Sequence, residues 1–507
     1  MVAALLAGSV LASRVLGFVR EAVLADRLGT GPAADAYRAA FQIPDILNHL
    51  LAGGAFALAF VPIYSRFRET QGEESARRLL ATVLGSMTVL TLIVTGALWL
   101  YAEPLIARLF SGFSPENQAL TARLTRIVLP AQIGFVTGGV VRAALMASDR
   151  FWTQAAGPLV YNLGIIAGGL LLAPELGAEG FAWGALAGAL LGPLMLPLFD
   201  AGRSGLRLGF RMAPWDRDFG AYLWRAAPLI LGLSVLTVDE WYDRYFGQFA
   251  GEGAIAALGY ARIVMVVPVA LLGQAVATAM LPALSRLWSQ GRGEEFDRAL
   301  LMALRAAVGL ALLAAAGLAA LAEPTVALLY QRGAFSADDT ARVASLLVVF
   351  AFAVPGMVAL QVAGRGFFAR EDMWRPMLLG TVVAAAAIPL YAVMGRAFGA
   401  EGLAASGAIT MTANAVLLLL LLRRRYGGPP LTPLLGTLAR GLLLAAVAGA
   451  AAGWAAEFGG LPLARLLLGG AAFATIAIPG VYVLGDEAMR EAATRLGSRL
   501  RRRRGSA

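Results

Sequence analysis

Apolar stretches close to the length of a bilayer crossing recur along the whole chain. They fall near 3–27, 34–64, 79–101, 122–147, 152–173, 178–199, 221–248, 254–285, 299–321, 340–368, 376–396, 402–422, 433–455 and 462–484. Each is near or above the roughly 20 residues that a membrane helix needs. The pattern predicts an all-α polytopic membrane protein with about fourteen transmembrane helices. The second and eighth stretches are long. Pro44, Pro62, Pro268 and Pro282 lie inside them and predict bends.

Polar positions inside the first two stretches are not scattered. Ser13, Gly17 and Arg20 fall at i, i+4 and i+7, and Arg14 and Glu21 at i and i+7. All five share one helical ribbon. On the second stretch Asp35, Gln42 and His49 repeat every seventh residue, as do Arg38 and Asp45. Ionisable groups inside a membrane span are costly and face a polar cavity or one another. Two such stripes predict the wall of a hydrated, partly cationic cavity. Farther along, Asp239, Glu240, Asp243 and Arg244 crowd one end of the seventh stretch beside Trp241 and Tyr242. Asp239 and Asp243 share a helix face. Two readings stand: a gate or cation site facing the cavity, or the outer interface with the aromatics as a belt.

The connecting loops alternate in charge. One set carries Arg66, Arg68, Arg77 and Arg78, then Arg150, then Arg203, Arg207, Arg211 and Arg217, then Arg286, Arg292 and Arg298, then Arg370 and Arg375, then Arg423 to Arg425. The other set holds mainly Glu103, Glu116, Glu175, Glu179, Glu252, Asp338, Asp339 and Glu457, with Arg332 and Arg396 as exceptions. The positive-inside rule places the first set, both termini and the basic tail Arg501–Arg504 in the cytoplasm.

An internal repeat decides the expected architecture. Glu103-Pro104 followed by Gly112-Phe113-Ser114 returns as Glu323-Pro324 followed by Gly333-Ala334-Phe335-Ser336. The stretch from Met146 to Trp152 returns from Phe368 to Trp374, and Gly177-Ala178-Glu179-Gly180 returns as Gly399-Ala400-Glu401-Gly402. Pro62 to Arg66 matches Pro282 to Arg286. The shift is roughly 220 residues each time, and each copy holds an even number of spans, so both insert the same way up. The expectation is two six-helix lobes, a parallel repeat around a central cavity, with two extra C-terminal helices. In residues this reads as an N-lobe over 1–213, a C-lobe over 214–430, and helices thirteen and fourteen with the tail over 431–507.

Composition sharpens this picture at a few points. Of 507 residues, 59% are hydrophobic and 15% charged, where a soluble chain would carry about a quarter charged. All 42 basic residues are arginine, which fits a codon bias, so no P-loop lysine is available for ATP hydrolysis. The net charge of +10 is accounted for by arginines at cytoplasmic helix ends and calls for no nucleic acid. His49 is the single histidine and there is no cysteine, which excludes disulfides, thiolate chemistry and multi-histidine metal sites. No cleavable signal is expected, because Arg14 and Arg20 lie within the first apolar stretch. No cofactor is expected; the candidate energy sources are the membrane potential and a monovalent cation gradient.

The residues Ser13 to Glu21, then Asp35-Ala36-Tyr37, Gly54-Ala55-Phe56 and Phe60-Val61-Pro62, resemble the N-terminal signature of the MurJ (MviN) lipid II flippases. That family sits in the multidrug/oligosaccharidyl-lipid/polysaccharide exporter superfamily, and the resemblance extends over span count, topology and the two extra helices. It implies a monomeric, multi-pass protein of the bacterial inner membrane. Its cargo would be the undecaprenyl-pyrophosphate-linked peptidoglycan precursor, moved from the inner to the outer leaflet by alternating access. Arg14 and Arg20 match the first-helix arginines that meet the pyrophosphate, and Asp35 matches an acidic position on helix two. Three positions depart from the family pattern. Asn48, followed by His49, stands where an arginine is usual; Arg262 in Tyr260-Ala261-Arg262 comes one residue early; and Thr381 to Val393 lacks the Asn and Asp of a cation site found in some members.

The resemblance therefore offers Arg14, Arg20, Asn48 and Arg262 as cargo contacts. Ser13, Gly17, Glu21, Asp35, Arg38, Gln42, Asp45, His49 and Asp239 are expected to line or gate the cavity. Arginine suits a pyrophosphate because its planar fork pairs with phosphate oxygens and stays charged. Against this stands a purely structural network of Arg14 and Arg20 with Glu21 and Asp35, and of Arg38 with Asp45. Other expected cargoes are a different lipid-linked oligosaccharide, or a small cation exchanged against an ion. The second would call for an acid-dominated cavity, whereas helix one carries two arginines against one glutamate.

Overall fold

A computed structural model describes residues 2–51, 54–231 and 235–494. Gly53 and the basic tail Arg501–Arg504 lie outside the described residues. All fourteen expected stretches lie on helix, and the chain divides into two compact units. The first unit comprises residues 1–232 with a short return of the chain at Arg332–Ser336; the second comprises 233–331 and 337–507.

In the first unit the helices are α1 (Val2–Leu28), α2 (Pro32–Ala40), α3 (Gln42–Leu51), α4 (Gly54–Gln71), α5 (Glu73–Leu100), α6 (Ala102–Leu109), α7 (Pro115–Val128), α8 (Ala131–Met146), α9 (Trp152–Leu171), α10 (Ala173–Leu176) and α11 (Ala178–Ala189). A π-helical turn, Leu190–Met195, leads to α12 (Leu196–Ser204), and α13 (Arg217–Leu231) closes the unit. The second unit holds α14 (Val235–Gly247), α15 (Ala254–Pro268), a second π-turn (Val269–Gln274), α16 (Ala275–Ser289), α17 (Gly293–Ala320), α18 (Ala322–Tyr330), α19 (Ala337–Ala351), α20 (Ala353–Phe368), α21 (Trp374–Tyr426), α22 (Thr432–Ala456) and α23 (Pro462–Val483).

Among the described residues nine helices are long and apolar enough to cross a membrane, and α19 and α20, bent by 43° from each other, are so only when taken together. The physical reasons for the difference from fourteen are local. The 53-residue α21 contains two expected spans, joined across Gly399 at φ 59° and ψ −138°. The second expected span runs over α2, α3 and α4, and breaks at Phe41 between α2 and α3. Pro44 has no N–H to offer the carbonyl of Ala40, which lies 3.3 Å from the Thr125 hydroxyl on α7, itself bonded to the Thr121 carbonyl at 2.8 Å. The seventh is shared between α13, in the first unit, and α14, in the second.

The two copies of the repeat agree in backbone as well as in sequence. Helices α5 and α17 are both 28 residues long and open on paired glutamates, Glu73-Glu74 and Glu294-Glu295, where acidic groups suit the helix dipole. Gly177 and Gly399 share a φ near 57°, a region that a Cβ disfavours. Asp149 and Glu371, at equivalent positions, are the two non-glycine residues with positive φ, at 59° and 60°, among the described residues.

Packing inside the first unit depends on small residues. Gly164 and Gly168 on α9 face Gly180, Gly184 and Gly188 on α11; a Cβ on Gly164 would lie 2.5 Å from the Cα of Gly188. This spacing of four lets two membrane helices meet backbone to backbone. A separate cluster of Phe60, Tyr64, Val83, Val140, Phe219 and Tyr222 is buried between α4, α5, α8 and α13.

Helices α22 and α23 are tied to α17 and α18 by charged contacts at both ends. Glu323 of α18 takes a two-pronged bond from Arg465, each prong 2.8 Å. At the other end Asp486 accepts from the Thr437 hydroxyl, from Arg305 at 3.1 Å, and from the Met489 amide at 3.0 Å, the last capping the turn that follows. Burial works against this charge, but the Thr437, Met489 and Arg305 donors outweigh it and hold the Asp486 carboxyl below the usual carboxylate range. A lowered carboxyl stabilises the fold above the unfolded value, and loses that contribution as pH falls through the folded one. Asp486→Asn, which keeps an oxygen for the Met489 amide but loses the charge that Arg305 meets, is therefore expected to lower the thermal midpoint at neutral pH. The gap to wild type should close in acid. Equal midpoints at neutral pH would show that the knot carries no stability.

Candidate functional site

The cationic stripe on α1 is the nucleus of the site. Glu21 is buried, and its two carboxylate oxygens are divided between two helices. Oε1 accepts from Arg20 Nε at 3.1 Å and from a terminal nitrogen of Arg20 at 2.7 Å. Oε2 accepts from Arg38 on α2 at 2.6 Å. The other terminal nitrogen of Arg20 donates to Oδ1 of Asn162 on α9 at 3.1 Å. Asn162 is in turn held by its own amide, which donates to the carbonyl of Pro158 at 3.1 Å and to Ser13 Oγ at 3.4 Å. Ser13, Arg20, Glu21 and Arg38 are thus brought into one bonded set.

Two guanidinium groups, those of Arg20 and Arg38, share the one carboxylate of Glu21. A guanidinium has five N–H groups. Arg20 uses one from Nε and one from each terminal nitrogen, which leaves two. Its side chain keeps 28% of its surface exposed, against 5% for Glu21. Glu21 and Asn162 hold the fork; its remaining edge is free to take a charged acceptor.

The other expected residues of this stretch surround the set in the same unit. Asp35 and Gln42 are buried on α2 and α3; Asp45 and His49 are half-buried on α3; Arg14 is exposed on α1. Gly17 is half-buried, and a Cβ there would meet open space. Asn48 donates to Oε1 of Gln132 on α8 at 3.2 Å, tying α3 to α8. Arg38, read from its heptad as a partner of Asp45, pairs with Glu21.

Arg262 and Asp239 belong to the second unit. The expectation that Arg262 contacts cargo is corrected by its surroundings. It is 9% exposed, its terminal nitrogens donate to Asp239 and Asp243, and its guanidinium lies 5.0 Å from the Phe350 ring centroid. Asp243, one of the pair read as a gate or as an outer-interface residue, is buried beneath it.

Sequence reasoning missed Asn162, Gln132 and Arg142. The signal was a few polar residues in largely apolar spans, without the heptad spacing of the first two stretches. Arg142 on α8 is half-buried, and no carboxylate lies within ion-pair distance of it among the described residues. Its terminal nitrogens come 4.0 and 3.9 Å from where Cβ atoms on Gly139 and Gly157 would stand. No group of carboxylates or histidines able to hold a metal ion occurs among the described residues.

The structure places the chain in the class of all-α, multi-pass membrane proteins built from two repeated units. The fold agrees: a multidrug resistance MATE family transporter of the MOP superfamily, in an inward-facing conformation, matches 82% of this chain and 94% of its own, with TM-score 0.67 and 15% identity. Within that class the chain belongs to the lipid II flippase MurJ family, whose family model matches residues 24–461. A probable lipid II flippase MurJ of Rhizobium meliloti (strain 1021) is 30% identical over 464 residues, 90% of this chain and 86% of that protein. The lipid II flippase MurJ of Burkholderia cenocepacia is 28% identical over 73% of each chain. A solved lipid II flippase MurJ in an inward closed conformation superposes with TM-score 0.80 over 95% of this chain and 99% of its own, at 22% identity.

Proposed function

We propose that this chain is the flippase that carries lipid II, the undecaprenyl-pyrophosphate-linked peptidoglycan precursor, from the inner to the outer leaflet of the bacterial inner membrane. The observation that carries the reading is the fork of Arg20, held by Glu21 and Asn162 with two of its five N–H groups left over. A diphosphate needs donors that stay charged out of water, and a pre-oriented guanidinium edge supplies two. Arg14, exposed one face-turn earlier on α1, and Arg142 on α8 are further cations along the same unit. A cation-exporting antiporter would need the opposite sign at this place.

The lobes over 1–213 and 214–430 are the halves expected to rock during alternating access, with 431–507 riding on the second. Both termini lie in the cytoplasm on this reading, by the arginine bias of the loops. The chain works as a monomer, and its energy comes from the membrane potential or a monovalent cation gradient rather than from a nucleotide. Glu21 keeps Arg20 oriented, and Asn48 and Gln132 keep α3 against α8 while the headgroup passes.

The experiment is replacement of the resident flippase in a depletion strain, read by the accessibility of lipid II in the outer leaflet. Restored accessibility and growth are expected. Lipid II that stays in the inner leaflet, with this chain present in the membrane, would refute the assignment.

A further inference from the structure

The buried charged cluster of the second unit is not used by the cargo site. Arg262 on α15 gives one terminal nitrogen to Oδ2 of Asp239 and the other to Oδ2 of Asp243, both on α14. The remaining oxygen of Asp239 accepts from the Tyr391 hydroxyl on α21. Gly407 makes room for it: a Cβ there would lie 2.7 Å from Asp239 Oδ1. Asp239 is therefore satisfied at both oxygens. Asp243 is not, because its Oδ1 is buried and has no hydrogen-bond donor.

Neighbouring groups do not fill that gap. The Tyr242 hydroxyl donates to the carbonyl of Ala384 at 3.0 Å, and Glu240 and Arg244 pair with each other on α14. From α19 the cluster meets the Phe350 ring over Arg262. Two carboxylates thus share one guanidinium, which leaves one negative charge uncompensated within a membrane span. Enclosed charges of this kind are relieved most simply by a proton.

We propose that the Arg262–Asp239–Asp243 cluster is a one-proton site, and that at neutral pH Asp243 carries the proton on Oδ1. The cluster is then neutral while α14, α15 and α21 remain closed around it. Opening that contact to water releases the proton from Oδ1 to solvent and leaves Asp243 as a carboxylate; closing it takes the proton back. Protonation is thereby linked to movement within the second unit. The inference does not depend on what the protein transports.

Infrared spectroscopy of the full-length protein in lipid nanodiscs at neutral pH tests it without cargo. A protonated-carboxyl carbonyl band, shifted by exchange into heavy water, is expected in the wild type. It should disappear in Asp243→Asn and double in Arg262→Gln, where both carboxyls must be neutral. Asp243→Glu should move the band in frequency, and Asp239→Glu should leave it in place. The glutamate variants retain the acid and cover the case in which Asp243→Asn fails to insert. A wild-type spectrum without the band, or a band that follows Asp239→Glu, would overturn the proposal, and neither would touch the lipid II reading.

Discussion

Arg20→Ala is expected to abolish rescue of a flippase-depleted strain while the protein remains in the membrane at wild-type level. The substitution removes the two N–H groups left for cargo and one of the two guanidinium groups that Glu21 holds. A hydrogen bond to a charged group contributes roughly 1.5–3 kcal/mol. Loss of two amounts to about a hundredfold or more in affinity for the pyrophosphate. Arg20→Lys should fall between: an ammonium keeps the charge but cannot hold Glu21, Asn162 and a phosphate in one plane. Outer-leaflet lipid II at wild-type level in Arg20→Ala cells would remove Arg20 from the cargo path.

Gly184→Leu is expected to be the most damaging structural change in the first unit. A Cβ at that position already meets the carbonyl oxygen of Gly164 at 2.5 Å and the Cα of Gly168 at 2.9 Å. Those atoms are backbone, so relief requires α9 and α11 to separate. Overpacking of this kind costs about 1–3 kcal/mol for a single methylene in a compliant core. A leucine forced between two backbones should exceed that range and take much of the ~5–15 kcal/mol that holds a fold together. Because α9 carries Asn162, a survivor should also lose the support of Arg20. Gly157→Ala is the matched control, for a Cβ there finds nothing closer than 3.9 Å. Thermal unfolding of the purified variants, followed by size exclusion, should show collapse for the first and a near-wild-type midpoint for the second. A folded, active Gly184→Leu protein would show that the two helices do not meet as described.

The functional reading gains most from residues that only three-dimensional packing connects. Arg20 and Glu21 were legible as polar positions on one ribbon of α1. That Glu21 divides its oxygens between Arg20 and Arg38 was not legible, because a heptad relates residues within one helix and says nothing of its neighbour. Asn162 is the plainest case. A single amide in a span of Leu, Ile and Gly gives no periodic signal, yet it holds the fork of Arg20 from 142 residues away.

The amino-acid sequence determined the membrane class, the placement of the helical spans, the polar ribbon on α1 and the doubling of the chain. The doubling reappears in the backbone at Gly177 and Gly399 and at Asp149 and Glu371. These features follow from local composition and spacing, which act along one helix or one turn at a time. The tertiary structure alone decided which charges neutralise each other. It enclosed Arg262 between Asp239 and Asp243, and it divided the two oxygens of Glu21 between Arg20 and Arg38. Both outcomes depend on partners supplied by other helices, and an ion pair exists only once those helices have met.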